Sequence, residues 1–424
     1  MEKNRVNELI ALEDKFGAHN YHPLPVVLAK GEGVFVWDID GKKYFDFLSA
    51  YSAVNQGHCH PGITKALIDQ AKTLTLTSRA FYNDSLGEYE KYITNLFGFD
   101  KVLPMNTGAE AVETAIKLCR KWAYEKKGIV ENQAVIVVCE GNFHGRTTTI
   151  ISFSSDPDSN KNFGPYAPGF LAIPYDDIPA LEKALKLPNV VGFLVEPIQG
   201  EAGVYTPSDD FISKARHLCT ENGALFIADE VQTGIGRTGS LLGVCGNCNC
   251  EQKCERQKNT YSRPDILILG KALSGGVYPV SAVLADDEIM LVIKPGQHGS
   301  TFGGNPIAAK VAIAALEAVN DENLIQNARK LGAFFRSEMN RIISKSDLVL
   351  KVRGKGLLNA IVVNDSETGK TAWNLCLALK ENGLLAKPTH GNIIRFAPPL
   401  IITKDQITEC IEIIEKTINS FKNN

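Results

Sequence analysis

Four segments of the sequence place a chemically capable side chain directly after a run of apolar residues. In "DILILGKALSGG" (265–276) the run Ile266–Leu269 is followed by Gly270 and then by Lys271. A lysine ammonium is almost never fully buried without a partner, so this amine either reaches solvent or is occupied by another group. A lysine amine with a lowered pKa can form a Schiff base with a carbonyl group. Lys271 is therefore a candidate nucleophile.

The other three segments supply the groups that such an amine would need around it. They are "EGNFHGR" (140–146), "EPIQGEAG" (196–203) and "ADEVQTG" (228–234). Their candidate residues are an aromatic ring, a guanidinium, two carboxylates and an amide: Phe143, Arg146, Glu201, Asp229 and Gln232. Ligands of open α/β sheets bind beyond the carboxyl ends of the strands, so these side chains are expected at one edge of a sheet.

A fifth segment, "NTGAEA" (106–111), adds a possible phosphate site. Thr107, Gly108 and Ala109 precede a helical pattern, and the free N–H groups of a helix start can bind a phosphate. Each residue also has an ordinary explanation, because strand-end lysines often extend to solvent and such acids often cap helices or form ion pairs. Jointly, however, an amine, an acid for a pyridinium nitrogen, a stacking ring and a phosphate cradle predict a pyridoxal phosphate site.

The elements that must position these residues alternate between strand-like and helix-like patterns. Strands are predicted at 134–139, 190–196, 224–230, 265–270 and 281–286, and an amphipathic helix at 108–128. This alternation predicts an α/β fold with a mostly parallel, doubly wound sheet. The ends differ, since residues 33–47 contain a hairpin pattern with "DG" at the turn and the last residues form another amphipathic helix.

We therefore expect a large domain and a smaller α/β domain built from both termini. The predicted boundaries are 1–50 for an N-terminal part of the small domain, 51–307 for the large cofactor-binding domain and 308–424 for the C-terminal part of the small domain. With 424 residues the chain is long enough for this division.

Composition argues against several classes of partner. The net charge is −3 and the isoelectric point about 6.3, so the basic field needed for nucleic acid or an anionic membrane is missing. The sequence contains no apolar run of about 20 residues, and its first residues resemble neither a signal peptide nor an organelle presequence. We therefore expect a cytoplasmic location, with no nucleic-acid or membrane partner.

The chain resembles the class III pyridoxal phosphate-dependent aminotransferases over nearly its whole length. The segments that carry the resemblance include "FDFLSAYSAVNQGHCHP", "VLPMNTGAEA", "GNFHGRT", "VEPIQGEAGV", "ADEVQTGIGRTG", "GKALSGGVYPVSAVL", "HGSTFGGNP" and "IRFAPPL". They occur in the order of the family, which makes chance agreement negligible.

The resemblance implies a role for each candidate residue toward the cofactor, pyridoxal 5'-phosphate. Lys271 would form the Schiff base, Asp229 would pair with the pyridinium nitrogen and Gln232 with the ring hydroxyl. Phe143 would stack on the ring, while Thr107, Gly108 and Ala109 would hold the phosphate. Thr301 would reach the phosphate of a neighbouring subunit, which implies a homodimer with its sites at the interface.

On the substrate side the resemblance implies transfer of the δ-amino group of ornithine to 2-oxoglutarate. Tyr21 and Tyr51 would orient the α-amino end and Arg146 would bind the α-carboxylate. Glu201 would pair with Arg395, either as a switch between substrates or as a static ion pair. Other amines of the same family, acetylornithine, 4-aminobutyrate or lysine, are alternative substrates, and a non-catalytic scaffold is an alternative of another class.

The cysteine-rich stretch at 244–265 is longer than the connection usual in this family. Cys245, Cys248, Cys250 and Cys254 supply enough thiolates for a zinc site, yet they lack two separated CxxC pairs. The alternatives are a solvated reduced loop, a metal site and a redox switch. His144, beside Phe143, is interpreted as a tolerated variant, because a histidine ring can pack as well as titrate.

Overall fold

The structure, a computed structural model, describes residues 2–245 and 262–421. The strands are β1 (Leu28–Glu32), β2 (Phe35–Asp38), β3 (Lys43–Asp46), β4 (Lys101–Met105), β5 (Val135–Cys139), β6 (Phe170–Ile173), β7 (Val190–Val195), β8 (Leu225–Asp229), β9 (Ile266–Leu269), β10 (Ser281–Ala285), β11 (Val349–Lys355), β12 (Leu358–Val363), β13 (Leu384–Leu385), β14 (Lys387–Thr389) and β15 (Ile393–Phe396). The helical segments are α1 (Glu2–Phe16), α2 (Ser49–Ser52), α3 (Pro61–Ala71), α4 (Leu86–Phe97), α5 (Gly108–Trp122), α6 (Thr148–Ile151), α7 (Pro157–Asn160), α8 (Ile178–Leu185), α9 (Phe211–Glu221), α10 (Asp287–Met290), α11 (Pro306–Asp321), α12 (Leu324–Ile343), α13 (Thr371–Glu381) and α14 (Lys404–Ser420).

The central sheet has the strand order β4-β10-β9-β8-β7-β5-β6. Strands β9, β8, β7, β5 and β6 run parallel, whereas β10 is antiparallel to both of its neighbours. Every residue of β7, β8, β9 and β10 is buried, as expected for strands covered on both faces. The predicted α/β fold with a mostly parallel sheet is confirmed, although β4 and β6 were not predicted.

Helix α5 carries the predicted apolar stripe and packs it on the sheet. Val112, Ala115, Ile116 and Cys119 are buried in the same cluster as residues of β5, β8 and β9. The helix ends at Trp122 and continues as a π-helical turn, Ala123–Lys127, where the sequence predicted an unbroken helix. This packing fixes the helix start, and with it Gly108, at the edge of the sheet.

Two smaller sheets combine segments from both ends of the chain. One has the order β1-β2-β3-β13, in which Leu384 of β13 pairs in parallel with Phe45 of β3. The other has the order β11-β12-β15-β14. The exact domain boundaries remain a prediction. Within the described residues, no helix is both long and apolar enough to cross a membrane.

Segment α2 is a left-handed turn of four non-glycine residues. Ser49, Ala50, Tyr51 and Ser52 have φ values of 49°, 46°, 60° and 72°. A left-handed conformation costs about 1–2 kcal/mol for such a residue, so other contacts must hold it. The Asp46 carboxylate accepts hydrogen bonds from the N–H groups of Leu48 and Ser49, at 2.8 and 2.9 Å. The turn fixes the position of Tyr51.

Candidate active site

The start of helix α5 presents two backbone N–H groups to a cavity. Thr107 and Glu110 form a reciprocal capping box, in which each side chain accepts a hydrogen bond from the backbone N–H of the other. The capping box uses the N–H of Glu110, which leaves those of Gly108 and Ala109 beside the cavity that both residues line. A Cβ atom on Gly108 would lie 2.9 Å from Cγ1 of Val231, so only glycine fits this approach.

The cavity lies beyond the carboxyl ends of β5, β7, β8 and β9 and has a volume of about 180 Å³. Its lining brings together most residues that the sequence singled out. The lining residues are Gly108, Ala109, Phe143, His144, Gly145, Glu196, Glu201, Asp229, Val231, Gln232, Thr233 and Lys271.

Lys271 begins a short helical turn after β9 and extends into this cavity. Its φ of 45° is unusual for a residue with a side chain and is of the kind that active sites maintain. Burial lowers the pKa of the amine below its usual value, and Arg395 lowers it further, against the opposing charges of Glu201 and Asp229. A lowered pKa favours the unprotonated amine, which is the nucleophilic form.

Asp229 ends β8 and is held by two hydrogen bonds. Its Oδ1 atom accepts from the N–H of Val231 at 3.0 Å, and its Oδ2 atom lies 2.6 Å from Nδ1 of His144. Burial alone would lower the pKa of His144, but the hydrogen bond and the charge of Asp229 raise it. His144 is therefore a partner of Asp229, which replaces its interpretation as a tolerated variant. Its Nε2 atom is buried without a hydrogen-bond partner.

Glu196 is the residue that the sequence reasoning missed. It follows β7 directly, lines the cavity and accepts a hydrogen bond from the N–H of Phe143 at 2.7 Å. Burial raises its pKa to about 7, and the charge of Asp229 adds to this effect, whereas His144 opposes it. The rule that strand ends assemble the site, applied to the first residue of "EPIQGEAG", would have identified it.

The position of the Gln232 amide depends on the close approach of the backbone at Gly200. A Cβ atom on Gly200 would lie 1.5 Å from Oε1 of Gln232, so a larger residue would displace the amide. The amide nitrogen donates to the carbonyl oxygen of Tyr51 at 3.4 Å, while Oε1 has no hydrogen-bond partner. The amide can therefore still bind a ligand in the cavity.

Glu201 and Arg395 form an ion pair at one side of the cavity. Oε2 of Glu201 lies 2.8 Å from Nη1 of Arg395, and the guanidinium lies 5.2 Å from the ring centre of Tyr51. Burial alone would raise the pKa of Glu201, but the charge and hydrogen bond of Arg395 lower it. The pKa of Tyr51 is raised, first by burial and then by the charge of Glu201, whereas Arg395 lowers it; Tyr21 makes a smaller contribution that also raises it. Tyr21 itself is 60% exposed.

Other predicted residues lie outside the cavity lining. Arg146 is exposed, with its guanidinium 5.5 Å from the ring centre of Phe143. Thr301 is exposed and next to Phe302, whose side chain is 50% exposed. Cys245 is buried in a short turn, whereas Cys248, Cys250 and Cys254 lie outside the described residues.

The cavity fits the predicted cofactor. The helix start suits a phosphate, and His144 and Gln232 each have a buried polar atom that lacks a partner. Lys271 supplies an amine for the carbonyl group and Asp229 a carboxylate for the pyridinium nitrogen. The individual roles remain predictions.

Comparisons with known proteins give one consistent family. The family model "Aminotransferase class-III" matches residues 16–418. A protein of Drosophila ananassae named "Ornithine aminotransferase, mitochondrial" is 62% identical over 412 residues, which cover 97% of this chain and 91% of that protein.

Two solved structures show the same fold. One is described as an ornithine aminotransferase of Toxoplasma gondii with partial occupancy of PLP at its active site. It has a TM-score of 0.93 at 46% identity and covers 98% of this chain and 94% of its own. The other is described as an acetylornithine aminotransferase of Elizabethkingia anophelis. It has a TM-score of 0.87 at 62% identity and covers 98% of this chain and 99% of its own.

The comparisons contradict the predicted cytoplasmic location. The Drosophila ananassae relative is named mitochondrial, and so are three further relatives that are 61%, 59% and 57% identical. The names of these relatives point to mitochondria, so the prediction of a cytoplasmic location was wrong.

Proposed function

Because the chain belongs to the class III aminotransferases, which depend on pyridoxal phosphate, we propose that it transfers the δ-amino group of L-ornithine to 2-oxoglutarate. The products are glutamate 5-semialdehyde, which cyclises to pyrroline-5-carboxylate, and glutamate. The names of the Drosophila and Toxoplasma relatives support this choice of substrate.

The ion pair of Glu201 with Arg395 is the observation on which the proposal depends. Ornithine has one carboxylate and reacts at its distal amine, whereas 2-oxoglutarate has two carboxylates and reacts beside one of them. A cavity that accepts both needs an arginine that is neutralised for the first substrate and available for the second. Glu201, 2.8 Å from Arg395, can neutralise it and can rotate away because 29% of its side chain is exposed.

The chemistry that pyridoxal phosphate supplies when bound is electron withdrawal from the carbon that loses a proton. In the proposed reaction Lys271 Nζ would remove that proton from the δ-carbon of ornithine and carry it to the cofactor. Asp229, held by His144, would hold the pyridinium nitrogen of the cofactor through its negative charge and so favour its protonated form. Arg146 binds the substrate carboxylate, and Tyr21 and Tyr51 orient the α-amine.

The ion pair of Glu201 with Arg395 is closed with one substrate and open with the other. With ornithine bound, Glu201 stays on Arg395 and Arg146 binds the single carboxylate. With 2-oxoglutarate bound, Glu201 leaves, so that Arg395 and Arg146 each bind one carboxylate in charge-assisted geometry. The proton-transfer residues are the same in both half-reactions.

A second candidate function is supported by the Elizabethkingia structure, which is 62% identical to this chain and is described as an acetylornithine aminotransferase. Acetylornithine also presents a distal amine, but its α-nitrogen is acetylated and uncharged. A free α-amine is what Tyr21 and Tyr51 would orient, so ornithine is the better fit to this pair.

We also propose a homodimer that completes each cavity with Thr301 of the neighbouring subunit. The single chain exposes Phe81, Tyr82 and Phe302, at 70%, 105% and 50%. Segment 79–82 lies close to Gly304, because a Cβ atom added at Gly304 would be 3.2 Å from Nη1 of Arg79. An exposed aromatic surface of this kind is typical of a subunit interface.

The proposed dimer is tested by sedimentation of the wild-type protein and of the double variant Tyr82→Ala, Phe302→Ala. Two monomeric species of equal size would contradict the dimer.

The proposed substrate is tested by adding amines singly to the cofactor-loaded protein without 2-oxoglutarate. Ornithine alone should change the cofactor absorbance and yield the cyclised product in one turnover. Acetylornithine, 4-aminobutyrate and lysine, at the same concentration, serve as matched comparisons. Faster turnover of acetylornithine than of ornithine would overturn the assignment in favour of the second candidate.

A further inference from the structure

The backbone at and around Glu201 is held by hydrogen bonds from three side chains. Thr389 Oγ1 donates to the carbonyl oxygen of Glu201 at 2.7 Å, and Arg353 Nε donates to the carbonyl oxygen of Gly203 at 2.8 Å. Arg395 Nη1 also donates to the carbonyl oxygen of Gly200, at 3.3 Å. A carboxylate that leaves Arg395 must therefore find its next partner within the reach of a side-chain rotation.

The register of strands β14 and β15 places a lysine in that region. Lys387 lies directly opposite Arg395 in the antiparallel pair, and Thr389 lies opposite Ile393. Opposite residues, and residues two apart in one strand, project from the same face of a sheet. Because Thr389 and Arg395 both contact the loop of Glu201, Lys387 projects toward the same loop.

Lys387 carries a positive charge without a contacting partner in the part of the chain that the structure describes. Its side chain is half-buried, and within the described residues its Nζ atom makes no hydrogen bond or ion pair. Burial lowers the pKa of its amine; Glu201 raises that pKa and Arg395 lowers it, so both charges act on it. An ammonium held near a carboxylate without contacting it can become that carboxylate's partner.

Two other cations near Glu201 are less suitable. Lys271 is the residue that the proposed function assigns to the cofactor. His390 follows β14 in an exposed position, and an imidazole is charged only when it is protonated. Lys387 is therefore the remaining cation that could receive the carboxylate of Glu201.

We propose that Lys387 is a specificity-determining positioning residue, which receives the carboxylate of Glu201 when a dicarboxylate substrate takes over Arg395. The inference rests on the proposed function, because it needs a substrate with a second carboxylate. Lys387 acts through Glu201 and does not itself contact the reacting atoms. It lowers the cost of opening the ion pair, and so favours the 2-oxoglutarate half-reaction only.

The test measures each half-reaction by stopped flow on cofactor-loaded protein. Lys387→Met removes the charge and keeps much of the side-chain volume, and Lys387→Arg restores the charge. Lys387→Met should lower the apparent affinity for 2-oxoglutarate about fivefold, which is the upper range for an ion pair in contact with solvent. It should leave the ornithine half-reaction unchanged within a factor of about two, and Lys387→Arg should recover most of the loss.

A double-mutant cycle with Glu201→Gln separates the proposed route from direct binding of substrate by Lys387. In the Glu201→Gln background, Lys387→Met should have no further effect, since the carboxylate that it receives is gone. A loss that persists there would overturn the inference, and so would equal losses in both half-reactions. Lys351→Met, at an exposed position on β11 at the opposite edge of the same sheet, is the matched control.

A variant that fails to fold and a wrong substrate assignment can each be recognised separately. If Lys387→Met does not fold, Lys387→Gln is measured in its place, with melting temperature as the check. If wild-type protein fails to react with ornithine, the proposed substrate fails; the effect of Lys387 on 2-oxoglutarate still decides the inference.

Discussion

Nη1 of Arg395 lies 2.8 Å from Oε2 of Glu201, and the two side chains are unequally buried, at 3% and 29% exposed. A buried guanidinium without a partner is costly, whereas a partly exposed carboxylate can exchange its partner for solvent or another cation. The asymmetry makes Glu201 the mobile member of the pair and Arg395 the fixed one.

Glu201→Gln should weaken discrimination between amines. Without the carboxylate, Arg395 is available to every substrate, so glutamate should react faster at its α-amine. We expect the preference for ornithine over glutamate to fall by about tenfold or more. Single-turnover rates with each amine measure this ratio, and an unchanged ratio would show that the ion pair is only structural.

Arg395→Ala should harm the two half-reactions unequally. The reaction with 2-oxoglutarate should lose roughly 2–5 kcal/mol of stabilisation, the usual loss when a buried charge partner of a ligand is removed. The ornithine half-reaction, in which Arg146 binds the carboxylate, should lose much less. Equal losses, measured by stopped flow, would contradict the switch.

Lys271→Ala should abolish the covalent link to the cofactor and slow turnover by roughly 10²- to 10⁴-fold or more, since a proton carrier is lost along with the amine. Borohydride reduction followed by mass spectrometry measures the link, and ornithine turnover measures the rate. Lys186→Ala, which removes an exposed lysine paired with Glu182, is the matched control. Near-normal turnover by the Lys271 variant would disprove its role.

Glu196→Gln should change how stability depends on pH. The pKa of Glu196 is raised in the folded protein from 4.5 to about 7. The stability that its protonated form contributes is therefore fully present below pH 4.5 and is lost as pH rises through about 7. Relative to wild type, the variant should become more stable by a few kcal/mol between about pH 5 and about pH 8.

Urea unfolding of the cofactor-loaded protein across this pH range measures the difference. Glu131→Gln, at an exposed glutamate, controls for the general effect of removing a negative charge. A constant difference between wild type and Glu196→Gln over the range would refute the raised pKa.

Local patterns predicted five strands of the central sheet and the residues that follow them, but not β4, β6 or the order of the strands in the sheet. Asp229 and Lys271 follow the buried runs of β8 and β9, and parallel neighbouring strands must bring such residues to one edge. The hairpin of β2 and β3 was predictable for a similar reason, since "DG" between apolar runs favours a tight turn.

The partner of His144 and the part played by Glu196 were not predicted from the sequence. His144 gave no sign in the sequence that it would lie 2.6 Å from Asp229, and Glu196 was overlooked although it follows β7. Burial raises the pKa of Glu196, and the hydrogen bond of His144 exists because packing brings its buried ring to Asp229. Burial is a property of the packed molecule and not of any local pattern.

The left-handed turn at Ser49–Ser52 marks the limit of what the sequence determines. No residue in "SAYS" favours positive φ, and local preferences alone would place these residues in a right-handed or extended conformation. The sequence determined which side chains can do chemistry and the strands that carry them. The local hydrogen bonds of Asp46 help to hold the turn, but only the tertiary structure decided that it sets Tyr51 beside Arg395, because the two residues come from distant segments of the chain.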